Sequence, residues 1–587
     1  MNARRQTGAL MVITPLVITA ILLFTALAID GARLLSLRAD MQSQVNAAAT
    51  AAAGASQACG GEAVSMQTMN ARALAAAQAQ GFDGDASDLV VQAGVIEKSA
   101  SNPSEVVFRP VTDIAQSNAT RVSYSRDEPI SRLLPDGFLD DVRVSVNSAV
   151  RKEVIASISA AGSTAGVDGG LVGALLGGIL GQPGYTLDPT DMSSLGNTLF
   201  SVGDLLDGLG VGTLEDALPL GADELATAIR TVGGAATPAG DLATRLLSAS
   251  GIETVVISDV ISTLSEAEVP RDAKFRAYDL LVSTALNVLQ QQQILSGSPL
   301  TITNLNALGL PLTSAIDQNS LTLEVYVNRP PTAAVGPARQ DINGDWITTF
   351  YAPDISLEIG VSAELPTLNL LGLAEFGIGS LVIPLAVDLG GGQGALVSAS
   401  CAAGGNNDVV FGMDMQRQAV SLGTGTIDEP TGDHLSDPLD VNIGTLKLLA
   451  GLITIDPIVG LEATIDGTIG SVSATETMNP AYPLYCGAGG CSSLVYDQNS
   501  GGFSGTSFSV QIIDLEILAT GIDTSLANAI LSTVTGLLNT VVGSLLETLV
   551  DPLAEALGVG IGGMQVTIYE ASQSGSQLIE NIEVVGN

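Results

Sequence analysis

From Gly8 to Ile29 the chain runs for 22 residues without a charged side chain. As a helix, such a stretch spans about 33 Å, enough for the hydrocarbon layer of a bilayer. Pro15 lies near its start, where the first turns of a membrane helix tolerate it. The helical period does not stop with the apolar run. Leu34, Leu37, Met41, Val45, Ala48 and Ala52 recur at three- and four-residue spacing, with Arg33, Arg38, Asp40, Gln42 and Asn46 on the other side. The pattern predicts one uninterrupted helix to about Gly54, in which residues 8–29 span a membrane and residues 30–58 form an amphipathic, alanine-rich rod. A cleaved signal peptide would end at the small-x-small site Ala26-Leu27-Ala28. Against this, the apolar run exceeds the roughly 7 to 15 residues of a signal h-region, and the helical period continues past the site. The expectation is an anchor, with residues 1–7 as a basic cytoplasmic tip.

Beyond the rod the periodicity changes three times. Residues 60–157 read as a helix followed by valine-rich strands, with Val142, Val144 and Val146 alternating as on a half-buried strand, a small membrane-proximal α+β domain. Residues 158–320 turn to Leu/Gly-rich helical pieces, in which Thr213 with Asp216, and Asp223, mark helix starts. The paired prolines of "NRPPTAAVGPARQDINGDW" set a boundary, after which residues 321–475 predict an antiparallel β domain, a sandwich or a curled sheet. Residues 476–587 hold a cysteine loop, a strand, a long apolar helix opened by Asp523 and broken near Pro552, and a closing hairpin made of "MQVTIYEA" and "QLIENIEVV". That helix is apolar around most of its circumference, which predicts burial against the β region, with a lipid- or partner-binding element as the rival. The fold class is α+β: a transmembrane helix continuing as a rod, then a β-rich extracytoplasmic body with a helical insertion.

Composition narrows the function classes. Hydrophobic residues make up 46% and charged residues 14%, so the chain folds rather than remaining disordered. With 61 acidic against 22 basic residues the net charge is −39, and no Lys/Arg-rich stripe follows the first few residues, which excludes nucleic acid as a partner. Four cysteines behind an export segment favour disulfides. The flexible "CGAGGC" makes Cys486 with Cys491 the safer pair, and Cys59 with Cys401 follows by elimination.

Signatures of catalysis are missing. His434, the single histidine, sits in "TGDHLSDP" beside Asp433 and Ser436, a turn badly placed for a proton relay. Asp341, Asn343 and Asp345 alternate as calcium ligands do, without the distal Glu, so a polar turn is expected. Asp83, Asp85 and Asp88 leave weak calcium binding open beside an Asx-rich turn. No catalytic residue, cofactor or metal site is assigned, and the chain does not read as an enzyme.

One segment carries a family likeness. A basic start (Arg4, Arg5), a Gly (Gly8), a long apolar helix, an Asp-x-x-Arg just outside it (Asp30, Arg33), a Gln (Gln42 or Gln44) and an Ala-rich run (Ala47 to Ala53) resemble the N-terminal segment of the Flp pilus-assembly TadE/TadG-like proteins. The likeness covers about the first 55 residues. It implies a single-pass protein of the bacterial inner membrane, with the N-terminus cytoplasmic and the body periplasmic or extracellular. Basic residues before the span and Asp30 after it agree with that orientation. The implied partners are the membrane and pilus-assembly or other envelope proteins. The fifth residue after Gly8 is Ile13, where processed prepilins carry Glu, so an anchor is expected rather than a polymerising pilin. No DxSxS motif of a von Willebrand A domain occurs. An exported lipid-binding, apolar-ligand-binding or surface adhesion protein is the alternative.

Overall fold

The computed structural model describes residues 7–585 apart from 100–104, 133–139, 161–168, 183, 264–268, 304, 306–309, 365–367, 371–373, 378–379, 402–407, 429–433, 444, 449–452, 456–458, 470–471, 478–481, 484–493, 498–508, 518–523, 558, 561–562 and 574–575. Thr7–Ala53 is one α-helix of 47 residues with Pro15 inside it, about 70 Å long at 1.5 Å per residue. Its two ends live in different surroundings. Leu16 (70%), Leu22 (65%) and Phe24 (70%) stand exposed, whereas Met41, Val45, Ala48, Ala49, Ala52 and Ala53 are buried.

The buried end packs on a second helix, Met66–Ala79, whose N-terminus is capped by Ser65 accepting the Thr68 N–H at 3.1 Å. Met69, Ala73 and Ala77 meet the alanines of the long helix, and such small side chains let the two axes approach closely. Both helices lie on an antiparallel sheet of Leu89–Lys98, Val106–Pro110, Ala119–Pro129 and Asp141–Arg151. The end of the chain completes this sheet. Gln577–Glu580 pairs antiparallel with the Asp141–Arg151 edge, and Glu583–Val584 pairs parallel with the Val106–Pro110 edge. Two short strands separated by a left-handed turn at Asn581 (φ 53°) thus reach both edges of one sheet. That requires the sheet to curl until its edges nearly meet. Ile582 packs with Ile96, Phe108, Ala119 and Ala149 on the face turned away from the helices.

The expected closing hairpin therefore does not form. Gly563–Gln573 pairs instead with Val154–Ser159 in a second sheet, ordered Leu494–Asp497, Gly563–Gln573, Val154–Ser159, Ala333–Pro337 and Ile261–Ser262. Each half of the presumed hairpin finds an edge that would otherwise stay unpaired, and edge satisfaction overrides the short connection between them.

The helical layer follows its capping signals. Asp188, Ser201, Thr213 and Thr237 accept the N–H groups of Asp191, Asp204, Asp216 and Gly240 at 2.8, 3.0, 3.2 and 3.1 Å. Each cap contributes about 1 kcal/mol. The helix expected at Asp223 starts one residue earlier, as Ala222–Gly233. At its centre Ala277–Ser296 is buried on all sides from Ala277 to Leu289. The Gln293 amide donates to Val325 O at 2.6 Å and accepts from Val327 N at 3.0 Å. It thereby takes the place of a peptide unit on strand Ile316–Arg329, just past the point where Leu300–Ile302 stops pairing.

That strand belongs to a nine-stranded antiparallel sheet whose path runs Leu439–Ile443, Val459–Ile469, Val420–Ile427, Ser380–Asp388, Asp354–Glu364, Ile316–Arg329 and Leu300–Ile302. Its inner face, the helical layer and the C-terminal helix share one continuous core, from Leu171 to Leu557. The composition change near residue 321 marks a change of secondary structure, not a break between cores. Thr524–Leu545 does not end at Pro552 but continues through a wide turn, Leu546–Val550, into Asp551–Leu557. The wider turn is how a helix relieves the clash of a proline ring with the carbonyl four residues back. Val534, Leu538, Val541, Leu545, Leu549 and Leu553 are buried. Leu531–Leu557 is also long and apolar enough to cross a membrane, although 44% of that window is buried within the protein.

A glycine facing an aromatic ring tightens both β regions. In the strand pair Thr349–Ala352 and Gly392–Ala399, Phe350 lies directly across from Gly394, where an added Cβ would stand 2.2 Å from the ring. We expect Gly394→Ala to destabilise the protein by about 1–3 kcal/mol through overpacking. In a Phe350→Leu background the same change should cost far less, a coupling that a double-mutant cycle in urea reads directly.

Candidate functional site

The features singled out at the start of the chain fall at the two ends of the rod. Arg4 and Arg5 lie outside the described residues. Asp30, the first charged residue after the apolar run, is only 2% exposed. Its carboxylate accepts from the Ser131 hydroxyl and from the Arg132 N–H at 3.2 Å. One turn on, Arg33 donates to Glu128 Oε2 at 3.0 Å and to the Pro129 carbonyl, with its Nε 3.9 Å from Asp30. The end of the Ala119–Pro129 strand is thus clasped to the helix where the apolar span gives way to the rod.

Glu128 is the centre of this clasp. Its buried carboxylate receives Arg33 at 3.0 Å, Arg126 at 2.9 Å and Arg132 at 3.0 Å. Burial would raise its pKa, but hydrogen bonds from Arg33 and Arg132 and the charges of Arg126 and Arg132 outweigh it, so the carboxyl titrates below the usual glutamate range. Further along the rod, Gln42 donates to Asn46 at 2.9 Å and to Asn147 O at 3.3 Å, and Asn46 donates to Glu580 at 2.7 Å. Arg33, Gln42 and Asn46, placed by periodicity on a solvent face, bind the body through side chains long enough to reach past the apolar seam.

At the other end of the rod Arg72 donates to Gly54 O at 2.7 Å, a cation at a helix carboxyl terminus. Lys152 lies close by, its pKa lowered by burial and by Arg72. Cys59 then forms a disulfide with Cys401, 342 residues away in sequence, with Cα atoms 4.7 Å apart. The Cys401 N–H donates to Cys59 O at 2.7 Å, and Gln57 donates to Val397 O at 2.8 Å. The pair expected by elimination is therefore formed, while Cys486 and Cys491 lie outside the described residues.

The remaining candidates resolve into local structure. Asp341 accepts from the N–H groups of Asn343 and Asp345 at 2.8 and 2.9 Å. Those bonds, with others from Asn343 and Gly344, outweigh desolvation and hold its pKa low. This is the expected polar turn, its carboxylate turned on its own backbone. Asp85 and Asp88 form a capping box on a short 3-10 turn, and Asp83 stands 4.0 Å from Arg126. His434 is not in a turn: His434–Ser436 pairs with Val420–Ile427, with His434 opposite Ile427. Among the described residues no group of three or more His, Cys, Asp or Glu side chains converges as a cation site.

Periodicity and motifs missed a buried polar cluster. Arg276 donates to Asp279 at 2.9 Å through Nε and at 2.5 Å through Nη2, and Tyr569 also donates to Asp279. The guanidinium lies 5.5 and 5.4 Å from the ring centres of Tyr278 and Tyr569. Burial pushes the Asp279 carboxyl upward, against the pull of Arg276 and Ser159. The only local sign is an Arg three residues before an Asp, because Tyr569 arrives from 290 residues away.

Three outcomes check this arrangement. Glu128→Gln, which leaves three guanidiniums around a neutral group, should cost about 2–4 kcal/mol, whereas Arg132→Gln at an exposed position should cost under about 1 kcal/mol, both by chemical denaturation. The Glu128 pKa is lower folded than unfolded, so its contribution is complete above the ordinary glutamate value and is lost as the pH falls through the folded one. Cys401→Ser should lower stability by about 3–5 kcal/mol and make denaturation insensitive to any further effect of reducing this bond. Comparison of the whole chain with protein-family models, with curated proteins and with solved structures finds no match.

Proposed function

We propose that this protein is a membrane-anchored, extracytoplasmic structural component of a Tad/Flp-type pilus-assembly or secretion system, working by display and protein contact. The observation that carries the reading is the continuity of one helix: its apolar stretch from Ile13 to Ile29 is largely exposed, and the same helix goes on into a buried core of the body. An apolar surface of that length is stable in a bilayer and not in water. The N-terminal likeness to TadE/TadG-like proteins supplies the system, and the disulfide fits an oxidising compartment outside the cytoplasm. In this reading the basic tip stays cytoplasmic and the body stands at the outer face of the inner membrane.

The role is positional. A helix clasped at Asp30 and Arg33 and bonded through Cys59 transmits its orientation to the body without a hinge between them. The body then presents its surfaces to envelope partners at a set height and angle.

Fractionation tests this. The intact protein should stay in the membrane pellet after high-salt and carbonate washes and be released by detergent, with residues 8–29 still attached by mass spectrometry. A soluble mature chain starting at Ile29 would overturn the anchor, and one starting at Ala9 would indicate pilin-like processing. Pilus-secretion components should co-purify with the detergent-released protein. Their absence from a protein that remains anchored would sink the pilus assignment alone.

A further inference from the structure

A cleft of about 470 Å³ opens between the curled membrane-proximal sheet and the helical layer. Val95 and Val106 form one apolar wall, and Leu214 and Leu218 form the other. The charged lining is Lys98, Arg151, Arg271 and Arg339 against Glu97 and Glu215. Four of the 22 basic residues of a chain with net charge −39 therefore meet in one place.

Two of the guanidiniums share one carboxylate. Arg339 is 1% exposed and Arg151 8%, and their Nε atoms lie 3.1 and 3.6 Å from the two oxygens of Glu153, itself buried. At the rim, Glu97 is engaged with Arg109 at 3.2 Å and Arg271 with Asp207. A further polar atom lines the same space: the buried Thr263 hydroxyl has no hydrogen-bond partner among the described residues.

We propose that this cleft binds an amphipathic organic anion, its carboxylate or phosphate directed to Arg151, Arg339 and Thr263 and its apolar part lying between the valine and leucine walls. The volume is that of a small-ligand site at a junction between structural units. A guanidinium presents paired donors that match the oxygens of such an anion. A positive recess in a strongly acidic surface concentrates the field where the head group would sit. The site does not depend on the pilus reading, because its residues belong to the body and not to the anchor.

The full chain in phosphatidylcholine nanodiscs, titrated calorimetrically against empty nanodiscs as blank, provides the test, with decanoate, decyl phosphate and decanol as probes. Decanoate, decyl phosphate or both should bind saturably at one site, at least tenfold more tightly than decanol. Whichever head group binds better identifies the natural class as carboxylate or phosphate. Gly212 lines the cleft and its Cβ position has nothing within 4 Å, so Gly212→Phe adds a side chain at the cleft without a clash at its Cβ. It should weaken anion binding at least tenfold with an unchanged thermal midpoint, and Lys98→Gln should weaken it several-fold. Absence of saturable anion binding, equal binding of decanol, or full binding by a folded Gly212→Phe protein would overturn the proposal.

Discussion

The alanine face of the long helix, pressed onto the first sheet, is the constraint from which the rest of the structure follows. Ala48, Ala49, Ala52 and Ala53 leave no room for misalignment, since small side chains pack at short axial separation and gain little unless the contact is continuous. A helix that emerges apolar from its first part must be gripped as soon as it becomes polar. The Asp30, Arg33 and Glu128 clasp does this at the near end, and the Cys59–Cys401 bond does it at the far end.

The topology makes that grip depend on the whole chain. The sheet under the rod is completed by residues 577–584, and the adjoining sheet is completed by Gly563–Gln573. Pairings of this sequence separation are slow to form, because loop closure precedes any gain from contact. The buried Arg276–Asp279–Tyr569 cluster ties Gly563–Gln573, in that adjoining sheet, to the central helix.

What the sequence made legible was local. Helical period ran to about Gly54, next to the helix's end at Ala53, although the rod drawn to residue 58 overshoots that end, and capping chemistry predicted the start at Thr213, because both depend on neighbours a few positions apart. Cys59 and Cys401 were reached only by elimination. Asp30 and Arg33 stood out by position at the end of the apolar run, but their partners Glu128, Ser131 and Arg132 did not, since nothing in the period of either segment encodes a contact 95 to 102 residues long. The closing hairpin failed for the same reason: a short link predicts pairing, and the unpaired edges of two distant sheets decided otherwise. Pro552 was read as a break, and the break is a locally widened turn, with buried leucines on both sides holding the helix together.

The central claim is that rod and body form one cooperative unit. Native-state hydrogen exchange of the full-length protein in a bilayer mimic measures this most directly. Amides of residues 41–53 should exchange only as slowly as those of the buried strand Val154–Ser159. Exchange of residues 41–53 through local opening while Val154–Ser159 stays protected would contradict it.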